Sequence, residues 1–105
     1  KRIGADGRPS DLRALGYWLM GGRLLPGDKG PVAQFMFEGP KAERLTLYVT
    51  REDLGRETAF RFGQDGPVNV FYWVEKDMGY AISSGEGRPE LLRVAEAVFA
   101  QLKSR

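Results

Sequence analysis

The 105-residue sequence contains no cysteine and no histidine. That excludes disulfides, thiolate nucleophiles, the common zinc ligands and the side chain most used as a general base near neutral pH. Catalytic chemistry is confined to carboxylates, Lys, Tyr and Ser, and none of these stands in a motif that names a reaction. Apolar runs are short. None approaches the roughly 18 to 20 residues of a membrane-spanning helix, and no signal peptide is present. The sequence also lacks an initiator Met, beginning at Lys1, and reads as a piece of a longer protein. Charge of one sign is missing as well: 16 Lys and Arg stand against 14 Asp and Glu, for a formal net charge of +2. The basic residues are scattered, so the footprint of a nucleic-acid binder is absent and nucleic acid is not an expected partner.

What is present describes one folded unit. Hydrophobic residues at 42% and charged residues at 29% are ordinary for a globular domain of this size, and 14 Gly imply many turns and a sheet-rich fold. Lys1 to Pro9 is polar and Gly-containing, a linker or frayed terminus, and residues 10–105 form a single domain.

The densest β-forming stretch is Val68 to Ser83, broken only by Glu75-Lys76-Asp77, and it reads as a hairpin. Its first arm alternates Val68, Val70, Tyr72 and Val74 with Phe71 and Trp73, as expected of an inner strand with neither side fully wet. Further strands are expected over Gly16–Leu25, interrupted at Gly21-Gly22, over Val32–Glu38, over Arg44–Thr50 and, briefly, over Thr58–Gly63. In Arg44–Thr50 the alternation puts Leu45, Leu47 and Val49 inward and Arg44, Thr46, Tyr48 and Thr50 outward. Ser10 to Leu15 predicts one or two helical turns stopped at Gly16, with Ser10 or Asp11 as cap. A longer helix follows Pro89. Leu91, Leu92, Ala95, Val98, Phe99 and Leu102 form its apolar stripe, with Glu90 at its start and Lys103 and Arg105 at its end matching the helix dipole. The fold class is α+β: an antiparallel sheet of five or six strands, a long C-terminal helix on one face and a short N-terminal helical segment.

Several groups invite a functional reading that a structural one answers. Gly21-Gly22 suits a strand bulge, and Gly85-Glu86-Gly87 precedes a helix without the spacing of a nucleotide-binding loop. Ser83-Ser84 has no base nearby and reads as strand end and cap. Glu52 with Asp53, and Glu75 with Asp77, read as solvated turn charges rather than an acid and base pair. No catalytic residue, metal ligand or cofactor is expected. The aromatic residues are less readily explained. Trp18, Tyr48, Phe71 and Trp73 fall on phases opposite to Leu19, Leu47, Val70 and Val74, so some of these rings are expected on the sheet face away from the helix. Mixed with Arg44, Arg61, Thr46 and Gln34, such a face has the composition of a protein-binding surface. The same rings could equally pack against the amino-terminal segment or a second copy of the domain, and packing is favoured for Trp73 because it sits in the inner strand. Trp18, Tyr48, Arg44 and Arg61 are the candidate partner-binding residues.

The segments Leu12–Tyr17 running into Gly21–Gly27, then Gln34–Glu38, Arg44–Val49, Glu57–Phe62, Val70–Trp73 and Gly79–Ser83 carry a resemblance. Together, over about Leu12 to Leu102, they resemble the C-terminal extracytoplasmic part of proteobacterial transmembrane anti-sigma factors. The resemblance implies a non-enzymatic regulatory domain in the periplasm, belonging to a parent protein anchored in the inner membrane. Sigma binding would belong to a cytoplasmic part outside this chain. The partners it implies are an envelope protein or a site-cutting protease, with Lys1 to Pro9 as the tether from the membrane. A competing expectation from composition is a small apolar-ligand binding or carrier domain of the cell envelope, with aromatic residues lining a pocket between sheet and helix.

Overall fold

The computed structural model describes residues 10–52 and 58–103. The tether expected over Lys1–Pro9, and the helix-end role expected of Arg105, lie outside the described residues. Six antiparallel strands form one sheet: β1 (Trp18–Leu25), β2 (Val32–Glu38), β3 (Arg44–Arg51), β4 (Arg61–Asp65), β5 (Val68–Glu75) and β6 (Met78–Ser84). A single α-helix, α1 (Arg88–Lys103), follows, and a 3-10 turn, Arg13–Leu15, precedes β1. The expected class is therefore the observed one.

The spatial order is β1-β2-β3-β6-β5-β4. Two three-stranded meanders thus meet along β3 and β6, and the chain crosses from the middle of the sheet to its far edge between β3 and β4. Tight turns drive the second meander. Lys76 and Asp77 alone join β5 to β6, both at positive φ (51° and 66°), and Gly66-Pro67 joins β4 to β5 with Gly66 at 61°. Such a two-residue loop matches the right-handed twist of the strands it connects.

Register decides the faces. On one side, Leu47, Ile82 and Phe71 stand in a row across the middle of the sheet, continued by Phe35 and Phe62. Phe37 with Leu45, and Ala33 with Val49, Tyr80 and Trp73, form the flanking rows. Helix α1 covers this side over β5 and β6, contributing Leu91, Val94, Ala95 and Val98 to the buried core. Val94 joins the stripe expected from spacing, whereas Leu92, Phe99 and Leu102 pack at its margin. Near the helix C-terminal end, Phe60 stands edge-on to Trp73 (4.9 Å between centroids) and to Phe99 (5.6 Å), and Trp73 stacks on Tyr80 at 5.5 Å. Edge-on and offset rings of this kind add to simple burial.

The amino-terminal segment closes the other end of the core. Leu12 and Tyr17 are buried beside Phe37, and Gly16 in the left-handed region (φ 94°) ends the 3-10 turn as expected. The cap expected of Ser10 or Asp11 is not formed: Leu12 holds the N-cap position without a side-chain cap bond, and Asp11, one residue earlier, accepts a bond from the Arg13 backbone N–H at 3.1 Å. The Tyr17 hydroxyl donates to Glu90 on the first turn of α1 at 2.8 Å, and Arg93 holds the same carboxylate by two further bonds. The guanidinium keeps the Glu90 carboxyl below its usual range, while burial and Glu90 push the Tyr17 phenol up. The segment is a strap pinned across the helix start.

Several expectations need correction. The short strand expected at Thr58–Gly63 is Arg61–Asp65; Thr58 and Phe60 lie outside it, although Phe60 and Phe62 do pack inward. Of the four rings, Phe71 and Trp73 lie on the helix side with Leu47, because Leu47 pairs through Ile82 to Phe71, while Trp18 and Tyr48 lie on the other. Val68 and Tyr72 on the reverse of β5 are exposed, so the arm is dry on one side only. Glu75 is no solvated turn charge. It continues the Phe71 and Trp73 phase, is 4% exposed, and pairs with Lys103 Nζ at 3.3 Å. Asp53 lies outside the described residues.

Candidate functional site

The sheet face away from α1 holds all four candidate residues. Following the register, Arg23, Gln34, Tyr48, Ala81, Tyr72 and Arg61 form one row across all six strands. Gly21, Met36, Thr46, Ser83, Val70 and Gly63 form the next. No side chain in either row is buried. Trp18, Glu38 and Arg44 make a third, shorter row at the β1 corner.

The sequence explains why this face is flat and open. On β3 the period-two alternation sends every apolar residue to the helix side and Arg44, Thr46, Tyr48 and Thr50 to the other. On β6 the same side carries Gly79, Ala81 and Ser83, whose small size leaves the Tyr48 and Tyr72 rings standing on either side of Ala81. Polar bonds run along the row rather than into the core. Arg23 Nε donates to Gln34 Oε1 at 2.9 Å, and Gln34 Nε2 donates to the Tyr48 hydroxyl at 3.3 Å. Arg44 meets Glu38 at 3.8 Å with its side chain largely in solvent. Such an exposed pair orders the surface more than it stabilises it.

The four expected residues share a face but not a point. Tyr48 is central and half-buried, Trp18 and Arg44 lie at the β1 corner, and Arg61 is on the opposite edge strand, five strand spacings or about 24 Å across the sheet from β1. Trp18 is 54% exposed. Sequence reasoning missed Tyr72, 45% exposed at the middle of the face, along with Met36 and Arg23. A signal for Tyr72 was available: a two-residue loop at Lys76-Asp77 fixes Tyr72 opposite Ala81, and Ala81 lies beside Tyr48. Alternation alone groups Tyr72 with Val68, Val70 and Val74 on a side that does not read as fully wet.

Other candidates resolve into structure. Ser84 is buried and its hydroxyl accepts the Glu86 backbone N–H at 2.9 Å, the capping role expected of it. Asn69 donates to the Glu86 carbonyl at 2.8 Å, tying the loop before α1 to β5. At Gly21-Gly22 the bulge is real: the β1 register slips between Leu19 and Gly21, and a Cβ on Gly22 would come within 2.9 Å of the Phe35 ring. Among the described residues, no cluster of three or more acidic side chains could hold a metal ion. No helix of the described residues is long and apolar enough to cross a membrane. The interior between α1 and the sheet is filled by Trp73, Ile82, Leu91, Val94 and Val98. A shallow cavity of about 240 Å³ lies instead beside the strap, lined by Ser10, Leu12, Tyr17, Leu19 and Phe37 among others. Compared with protein-family models, with curated proteins and with solved structures, the chain matches none.

Proposed function

We propose that this domain is a regulatory, protein-binding module, and that it serves as the periplasmic receiving domain of a transmembrane anti-sigma factor. The observation that carries the binding role is the helix-free face. A six-stranded sheet presents Tyr48, Tyr72, Met36 and Val70 between Arg23 and Arg61 with no layer of its own chain over them among the described residues. Tyr and Arg around an apolar centre are the residue types that dominate protein interfaces. The family assignment rests on the ordered resemblance of segments from Leu12 to Leu102.

In this reading the chemistry is binding, not turnover. The folded domain sets whether the neighbouring membrane-proximal chain is accessible to an envelope protein or a site-cutting protease. Occupancy of the face shifts the balance between protected and open states, and that shift governs sigma release. The test is a sigma-dependent reporter in cells carrying the intact parent protein with Tyr72→Ala or Tyr48→Ala in this domain. Reporter output is expected to change while the purified domain melts within about 1 kcal/mol of the unaltered one for Tyr72→Ala. Output that stays the same even when the whole domain is deleted would sink the proposal.

A further inference from the structure

The two edges of the sheet are not equivalent. β4 is five residues long, begins with Arg61, ends with Asp65 and runs straight into Gly66-Pro67. Short length and charge at both ends are how natural sheets blunt an edge. β1 is eight residues long and carries one charge, Arg23, whose Nε already faces inward onto Gln34. Among the described residues no strand neighbours its outer backbone N–H and C=O groups.

Around that backbone the strand exposes large apolar side chains on both faces of the sheet. The bulge between Leu19 and Gly21 resets the alternation, so Leu19 and Leu24 both point to the helix side, opposite Phe37 and Ala33. They are 46% and 47% exposed, because α1 packs over β5 and β6 and does not reach them. Trp18, opposite Glu38, lies on the other face, and Met20, 60% exposed, stands in the bulge at the same edge. Half-exposed side chains of this size place on the order of 400 Å² of apolar surface on one strand, within the range of the largest patch on a typical monomer. A helix or loop laid on the sheet would cover one face and leave the other. A strand added edge-on covers both and also pairs the open backbone groups.

We infer that β1 is a self-pairing edge, and that its occupant is the β1 of a second copy of this chain, joined antiparallel about a two-fold axis into a continuous twelve-stranded sheet. A second copy supplies what the edge lacks: an unpaired strand of the same length with apolar residues on both faces. The blunted β4 edge decides the stoichiometry. With β1 the sole adhesive edge, β1-to-β1 pairing closes at two copies, whereas pairing β1 to β4 would run on as a filament. Two copies bring together at most about 800 Å² of apolar side chain before the backbone is counted, an area in the range of weak, transient contacts, so the pair is expected to be reversible. This inference does not depend on the proposed regulatory role, since the self-pairing edge leaves the Tyr48 and Tyr72 face open.

Sedimentation of the purified chain from the low micromolar to the submillimolar range tests it. The mass is expected to double with concentration, with amides of Gly21–Leu25 becoming protected from hydrogen exchange over the same range. Leu24→Lys on the helix side and Met20→Glu in the bulge should each raise the concentration of half-pairing about tenfold or more with the melting temperature little changed. A chain that stays monomeric throughout overturns the inference and leaves the edge to a strand from another protein. A dimer that survives both changes together overturns it too, because the contact would then lie elsewhere.

Discussion

Tyr72 and Trp73 are adjacent on β5, yet one is 45% exposed and the other 1%. The difference belongs to the two sides of the sheet. Behind Trp73 lie Tyr80, Phe60 and the last turns of α1; behind Tyr72, among the described residues, lies only its own row, from Arg23 to Arg61. One side specifies the fold, and the other is free to carry recognition because little of the fold depends on it. Truncating the two rings is the most direct way to break the comparison. Trp73→Ala should lower the unfolding free energy by about 3–5 kcal/mol, as expected for emptying a packed aromatic site. Tyr72→Ala should cost less than about 1 kcal/mol. Denaturant midpoints measure both, and similar losses would show that the second side is covered after all.

Glu75 sharpens the contrast from within the covered side. Its carboxylate is buried at the end of β5 and meets Lys103 Nζ from the last turn of α1, while its other oxygen, Oε1, has no hydrogen-bond partner among the described residues. The Trp73 indole N–H, two residues earlier on the same side, also lacks one. A buried charge with one half-exposed partner is costly to strip. Lys103→Ala should therefore destabilise by about 1–3 kcal/mol, whereas Glu75→Met, which removes the charge and keeps the volume, should be neutral or stabilising. Arg44→Ala, breaking the solvent-exposed pair with Glu38 on the open side, should change stability by less than Lys103→Ala does. Thermal melts of the three variants decide whether burial separates them in that order.

How much of this was legible in the sequence depended on whether a local pattern carried the information. The β3 faces followed from strict alternation in Arg44–Thr50, and α1 followed from its apolar stripe and from Pro89 and Glu90 at its start. Strand-to-strand phase did not follow, because it is set by register. Nothing local to Val68–Val74 says that Phe71 aligns with Leu47 through Ile82, and without that link both sides of β5 read as dry. The β1 bulge hid the Leu19 and Leu24 arrangement for a similar reason: an inserted residue reverses the alternation only when the partner strand is known. Glu75 was misread because a charge beside a turn is usually solvated, and its burial comes from a helix that arrives in the chain 13 residues later. The candidate face was found through composition, by the presence of Trp18, Tyr48, Arg44 and Arg61, while its centre at Tyr72 needed the pairing.

The smallest expected effect concerns the loop that enforces that pairing. Lys76 and Asp77 hold φ of 51° and 66° with a Cβ on each, a conformation that favours glycine or asparagine. Their side chains are exposed, and the bond that the Asp77 carbonyl accepts from the Glu52 N–H at 2.8 Å uses only backbone. Replacing Asp77 with glycine therefore removes steric strain without removing a contact, against some added freedom in the unfolded chain. Asp77→Gly should raise stability by about 0.5–1 kcal/mol, and Lys76→Asn combined with it should add to the gain. The register of β5 against β6 would be unchanged, so Trp73 should stay buried, which quenching of tryptophan fluorescence in a Trp18→Phe background reports alongside the midpoint. A variant that melts lower would mean that the Asp77 side chain, not the turn geometry, holds the hairpin, and with it the alignment that separates the two sides of the sheet.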